Sequence, residues 1–145
     1  MRWVIENAIN KEEELLILKE YPTSSSHTLI NKTNNPVILK ILDVIKEKVD
    51  FEIKKESYFT VESRNLPHEW HCDTGSNNHM MWCSVGATIL LSGNHVGGNL
   101  SYRNEDDSID TIDNRKPYDL YFHESNVYHK VDESAGDRKV LLLFI

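Results

Sequence analysis

Between Val37 and Val49 the apolar residues Val37, Ile38, Ile41, Leu42, Ile45 and Val49 recur at three- and four-residue steps, which gathers them on one face of a helix. Asn35-Pro36 supplies its start signal, a capping side chain followed by proline in the first turn. An earlier helix is expected from Lys11 to about Glu20. Asn10 is its cap, Glu13 is placed to close a capping box, and Leu15, Leu16 and Leu18 supply apolar surface. The polar linker Tyr21 to Asn34, with Ser24-Ser25-Ser26, reads as a loop. From Phe51 the texture changes to short β-rich runs separated by Gly, Asn, Asp and Pro: 51–63, 69–73, 80–92, 98–103, 118–122, 126–131 and 138–145. The pattern predicts one domain over 1–145, with residues 1–50 as helical support and 51–145 as a β core. A mainly β fold of this kind, with N-terminal helices, matches a double-stranded β-helix, the jelly-roll whose open mouth holds a ligand.

Composition narrows the function. A chain of 145 residues, 39% hydrophobic and 27% charged, is that of an ordinary water-soluble domain, and no apolar run approaches the roughly 20 residues of a membrane span. Sixteen Lys and Arg against twenty-three Asp and Glu give a net charge of −7, which disfavours nucleic acid as a partner. The acidic stretch Asn104 to Asp113 reads as a solvated loop. Met1 to Asn7 lacks the apolar core of a secretory signal, and two cysteines make no disulfide framework, so the cytoplasm is the expected compartment. Oligomeric state is left open.

The chemistry is concentrated in a few residues. In an extended segment His71 and Asp73 point the same way and Cys72 the opposite way, so two metal-binding side chains aim at one point. A third, His129, in the strand-like run Asn126 to Val131, completes a two-histidine, one-carboxylate triad, the arrangement that leaves positions open on non-haem Fe(II). Arg138 opens the apolar run to Ile145. A cation there is expensive to bury unless it meets an anion, and its planar fork suits the far carboxylate of a dicarboxylate such as 2-oxoglutarate.

The ordered set His71-x-Asp73, His129 and Arg138, with Gly97-Gly98-Asn99-Leu100-Ser101-Tyr102, resembles the Fe(II)/2-oxoglutarate-dependent oxygenases, and within them the prolyl-4-hydroxylase-like subgroup. The resemblance covers about Phe51 to Ile145. It implies Fe(II), 2-oxoglutarate and O2, with ascorbate as an accessory reductant. It also implies hydroxylation of a C–H bond coupled to decarboxylation of 2-oxoglutarate to succinate. By the same resemblance His71, Asp73 and His129 match the iron ligands, Arg138 matches the group on the distal carboxylate, and Val131 matches an apolar wall beside it. Leu100 and Phe144 fall at further lining positions, and no catalytic side chain beyond the metal ligands is implied. Where such proteins place tyrosines on the co-substrate, this chain has Leu90 and Val61. Thr88, two residues from Leu90 on the same strand face, is the replacement donor. A peptide or protein substrate, with peptidyl proline first, is implied; a free amino acid or small metabolite is the alternative.

Other readings stand beside this one. A cupin-like metal enzyme would use the triad without 2-oxoglutarate and give Arg138 no role, and a non-enzymatic jelly-roll binding module would leave the histidines incidental. His68, His79, His95 and His123 are expected at the surface, His68 facing away from His71 because it lies three residues before it. Trp70 and Trp82 are expected in the core, and Cys72 and Cys83 as small buried or half-buried residues. Gly97-Gly98 marks a tight turn, a close backbone approach near the pocket, or both, and Tyr102 and Arg103 follow within reach of a substrate.

Overall fold

The computed structural model describes residues 1–24, 26–74 and 79–145, so that Ser25 of the polar linker lies outside the described residues. The chain runs through β1 (Arg2–Ile5), α1 (Lys11–Glu20), β2 (Thr28–Leu29), a 3-10 turn at Ile30–Lys32 and α2 (Pro36–Lys46). It continues with β3 (Tyr58–Ser63), β4 (His68–His71), β5 (Val85–Leu90), β6 (His95–Gly97), β7 (Leu100–Arg103) and β8 (Ile109–Ile112). β9 (Leu120–Glu124), β10 (His129–Val131), β11 (Ser134–Gly136) and β12 (Lys139–Phe144) complete it. Both helices start where their caps place them. Asn10 accepts from the Glu13 amide while the Glu13 side chain accepts from the Asn10 amide, and Asn35 accepts from the amides of Val37 and Ile38.

The strands form a six-stranded antiparallel sheet, ordered β1-β9-β5-β12-β3-β2, opposed by a four-stranded sheet, β4-β10-β7-β8, with a β6–β11 ribbon at one end. This is the expected jelly-roll with helices on its N-terminal side. Alternation along the large sheet divides it into two faces. Phe59, Val61, Val85, Ala87, Ile89, Leu120, Phe122, Leu141 and Leu143 pack with Ile17, Ile38, Ile41 and Ile45 of the helices in one buried cluster. The intervening residues Thr88, His123, Val140, Leu142 and Phe144 turn to the other face, toward the small sheet, where they line a cleft.

Several boundaries differ from the expectation. Residues 51–57 are not strand, because the chain is still crossing from α2 to the edge of the large sheet. The linker after α1 is not plain loop, since Thr28 and Leu29 pair with β3 and extend the sheet by a short edge strand. The acidic stretch holds an edge strand, β8, paired with β7, and charge does not prevent this because one face of an edge strand is solvated. β1 and β11 lack an apolar alternation long enough to be read, and both are fixed by their partners β9 and β6. Leu15 and Leu16 stay exposed, and α1 instead buries Ile17 and Glu14. Trp70 is half-buried on the outside of the small sheet, flanked by the cations of Arg103 and Lys130, and Trp82 is half-buried against Tyr58. Among the described residues no helix is long and apolar enough to cross a membrane.

Glu14 explains how a polar side chain can anchor α1. Its carboxylate accepts from the Ser92 amide at 2.6 Å, the Ser92 hydroxyl at 2.5 Å and Lys11 Nζ at 2.9 Å. Burial pushes its pKa up, but the bonds from Ser92 and then Lys11 outweigh burial and hold it below the ordinary carboxylate range. Its contribution is therefore complete above the unfolded carboxyl's pKa and is lost as pH falls through the lower folded value. Glu14→Ala is expected to cost about 1–3 kcal/mol in urea unfolding at neutral pH, with the difference from the parent chain shrinking in acid.

Candidate metal centre and cleft

The four-stranded sheet and the bend that follows β4 deliver the candidate metal ligands. β10 lies between β4 and β7, with His129 opposite His71 on one side and Tyr102 on the other. Asp73 follows the end of β4 in a bend, its amide and that of Thr74 bonded to the Ser125 carbonyl, which turns the carboxylate inward. One potential ligand atom from each of His71, Asp73 and His129 comes together within 4.8 Å of the others. His71 Nε2 is 4.0 Å and His129 Nε2 3.5 Å from Asp73 Oδ1.

Hydrogen bonding settles which atoms face the centre. His71 Nδ1 lies 2.6 Å from the Glu69 carbonyl and His129 Nδ1 2.9 Å from that of Val127. A carbonyl only accepts, so each Nδ1 carries a proton, and it is Nε2 of each ring that is turned toward the centre. Burial first, and the neighbouring His123 second, push the His129 pKa down to about 4, which keeps its ring neutral. Three atoms that only accept therefore converge with no donor between them. A cation is the group that fits: a divalent ion about 2.1 Å from each donor needs neighbouring ligands only about 3–3.5 Å apart, and nitrogen with carboxylate oxygen suits first-row metals.

His123 is not at the surface as expected. It is buried, and its Nε2 donates to Asp73 Oδ2 at 2.7 Å, leaving Oδ1 turned to the two imidazoles. Burial raises the pKa of Asp73, but His123 first, and then His129 and His71, more than offset it and hold the carboxyl below its usual value. The signal for His123 lies in the strand alternation, since Leu120 and Phe122 face the helices and Tyr121 and His123 must face inward. Gly86 makes the contact fit. A Cβ at that position would stand 2.0 Å from Asp73 Oδ2 and 2.8 Å from His123 Nε2.

His68 also departs from expectation. It lines the cleft on the same side as His71, because the pairing slips between His129–His71 and Val131–His68, so three steps on β4 oppose two on β10. That irregularity undoes simple alternation. Burial, followed by Arg64 and His71, lowers its pKa to about 4. His95 is half-buried with Nδ1 shut away from a partner, whereas His79 is exposed.

The cleft opens to solvent and runs from the histidine cluster to a basic end. Thr88, Leu100, Val131, Phe144 and Arg138 all line it. Leu90 does not: although it shares the Thr88 face of β5, it lies two residues, about 7 Å, further along and is buried there. Val61 points to the helix side. Arg138 is 4% exposed; its Nη1 donates to the Arg64 carbonyl at 3.2 Å, and its Nε has no partner. Gly97 and Gly98 meet both readings given to them, at φ of +77° and +75°, and a Cβ on Gly98 would come within 2.7 Å of Arg138 Nε. Tyr102 is buried beside His129, so the side chain that follows the turn packs against the centre, while Arg103 lies outside over Trp70. Cys83 is buried and Cys72 half-buried, as expected.

No protein-family model and no curated protein matches the chain by sequence. Solved structures match it in fold. An oxidoreductase of the 2OG-Fe(II) oxygenase family from Burkholderia pseudomallei superposes with a TM-score of 0.69 at 14% identity, over 99% of this chain and 82% of that one. A prolyl-4-hydroxylase from Pseudomonas putida gives 0.61 at 14% identity, covering 99% and 91%. A prolyl hydroxylase from Trichoplax adhaerens, in complex with a peptide fragment of the hypoxia inducible factor oxygen degradation domain, gives 0.65 at 14% identity, covering 99% and 82%. The chain thus has the jelly-roll fold of the 2-oxoglutarate/Fe(II) oxygenases, including that of the prolyl-4-hydroxylases among them.

Proposed function

We propose that this chain is an Fe(II)/2-oxoglutarate-dependent oxygenase that hydroxylates a C–H bond. One observation carries the reading: in a single cleft three acceptor atoms converge at one end, and at the other Arg138 is buried with an Nε that has no partner among the described residues. A ferrous ion and a keto acid with a second carboxylate fit the two ends. His71 and His129 through Nε2, and Asp73 through Oδ1, would hold Fe(II), and Arg138 would take the distal carboxylate. When bound there, iron and co-substrate supply activation of O2, with 2-oxoglutarate converted to succinate and CO2 as the substrate is hydroxylated.

The chain's own residues bind and orient. Two backbone carbonyls keep the ligand rings in the Nε2-presenting tautomer, and His123 keeps Asp73 turned toward them. Leu100, Val131, Val140, Leu142 and Phe144 give the cleft an apolar wall, which excludes water and strengthens the ionic contacts inside. A metal enzyme of cupin type, without 2-oxoglutarate, is disfavoured because it leaves Arg138 buried without an anion. A peptide substrate, with peptidyl proline first, is supported by the likeness to prolyl hydroxylases, one of which holds a peptide.

Anaerobic titration with Fe(II) and then 2-oxoglutarate tests the reading through the weak visible charge-transfer band, followed by succinate release in air. His71→Ala and Asp73→Ala are expected to abolish metal retention and turnover. Arg138→Ala is expected to leave metal content intact and weaken 2-oxoglutarate binding about 10- to 100-fold, the loss of a charge-assisted contact worth ~1.5–3 kcal/mol. Unchanged affinity in Arg138→Ala would favour the cupin reading, and unchanged metal content in the ligand variants would favour a binding module.

Positioning of Asp73 is tested separately. His123→Leu is expected to weaken metal binding about 10- to 100-fold, read by Mn(II) titration, while circular dichroism shows the fold retained. Gly86→Ala is expected to impair metal binding at least as much, since the new methyl group occupies the space of Asp73 Oδ2.

A further inference from the structure

A second arginine is buried behind the cleft wall. Arg115 stands in the irregular segment between β8 and β9 and is 8% exposed. Its Nη1 donates to Thr88 Oγ1 at 3.2 Å and its guanidinium lies over the Tyr121 ring at 5.9 Å, whereas its Nε and Nη2 are buried with no hydrogen-bond partner among the described residues. A buried guanidinium is costly unless an anion is close. Among the described residues none pairs with it: Glu62 and Asp73 are the carboxylates on the cleft wall, and neither makes an ion pair with Arg115 or Arg138. The nearer acids of its own segment are engaged elsewhere, Asp113 with Asn99 and Asp119 with the Asn7 amide.

Burial first, and the positive charge of Arg138 second, push the Arg115 pKa down to about 10, and burial followed by Arg138 and Arg115 pushes that of the half-buried His95 down against Asp137. This end of the barrel therefore concentrates positive charge and free donors: Arg138 Nε on the cleft, and Arg115 Nε and Nη2 just behind it. Thr88 connects them. It lines the cleft, and its oxygen already accepts from Arg115, so its own hydroxyl proton remains for an acceptor in the cleft.

We propose that Arg115 is a positioning residue for the co-substrate: by holding the Thr88 hydroxyl oxygen and lending its charge to that hydroxyl it supports the seat that Arg138 offers a second carboxylate, and so favours a dicarboxylate keto acid over a monocarboxylate one. The inference rests on the co-substrate reading above and adds to it a residue that does not itself line the cleft. A second carboxylate in the cleft would be an acceptor for Arg138 Nε and for the Thr88 hydroxyl that Arg115 holds.

The test is calorimetric titration of the Mn(II)-loaded protein under argon with 2-oxoglutarate and with 2-oxobutanoate, which keeps the keto-acid head and lacks the distal carboxylate. Arg115→Met is expected to weaken 2-oxoglutarate about 5- to 30-fold and leave 2-oxobutanoate within twofold, as the Thr88 hydroxyl that Arg115 holds meets a distal carboxylate in one ligand only. Arg115→Lys restores part of the loss by keeping the charge. Thr88→Val follows Arg115→Met in direction, and the double variant loses less than the product of the two single losses.

Equal weakening of both keto acids, or of neither, would overturn the inference, the first marking a merely structural arginine. Should Arg115→Met fail to fold, Thr88→Val carries the same selective expectation and the same overturning result. The two readings fail differently. A parent protein that binds no 2-oxoglutarate sinks both, whereas binding that depends on Arg138 and ignores Arg115 and Thr88 sinks this inference alone.

Discussion

The large sheet works under one constraint: each strand has two faces, and both are used. Leu141 and Leu143 turn toward α1 and α2, while Val140, Leu142 and Phe144 between them turn into the cleft. A slip of one residue in β12 would exchange the two sets, exposing the helices to the cleft's side chains and filling the cleft with core. Burying the first set drives the sheet onto the helices. The pairing that this burial stabilises then holds the second set in place, so the cleft inherits its geometry from a hydrophobic core that it does not touch.

Against that frame the charged groups form a pair of deficits. At one end two imidazole Nε2 atoms and a carboxylate oxygen face each other; at the other, guanidinium donors lie in the wall with no ion-pair partner among the described residues. Neither arrangement is favourable by itself, because buried polar groups without partners are destabilising. Folding tolerates them because the helix-facing core supplies the driving force, and a cation at one end with an anion at the other would satisfy both. The glycines show how closely this is fitted. Gly86 leaves room for the Asp73 carboxylate and Gly98 for the Arg138 side chain, so the backbone itself approaches the two charged ends.

What could be read from the sequence was what depends on local spacing. The caps at Asn10 and Asn35 and the apolar face of α2 follow from local spacing, whereas His71 and Asp73 meet as expected by another route, since β4 ends at His71 and a bend rather than strand alternation turns Asp73 inward. The gathering of His129, Arg138 and Thr88 on one cleft was legible only together with the resemblance, because strand order is not contained in any short pattern. His68 was hidden by an irregular pairing step, which changes the facing of a side chain without changing the residues around it. Arg115 was hidden differently: Asp113-Asn114-Arg115-Lys116 has the composition of a solvated turn, and only the tertiary fold seals its arginine against Thr88.

His123 marks the boundary between these cases. Its facing is dictated by alternation with Phe122, yet its meaning depends on Gly86, which lies opposite it in the neighbouring strand. With any larger residue there, the imidazole and the Asp73 carboxylate would be pushed apart, and the same histidine would be a buried polar group with no task. The aspartate that opens the site is thus fixed by residues 13 and 50 positions further along the chain, brought beside it by the pairing of β5 with β9. A short motif such as His-x-Asp becomes a metal site only when the sheet behind it supplies a donor for the second carboxylate oxygen and the space in which to place it.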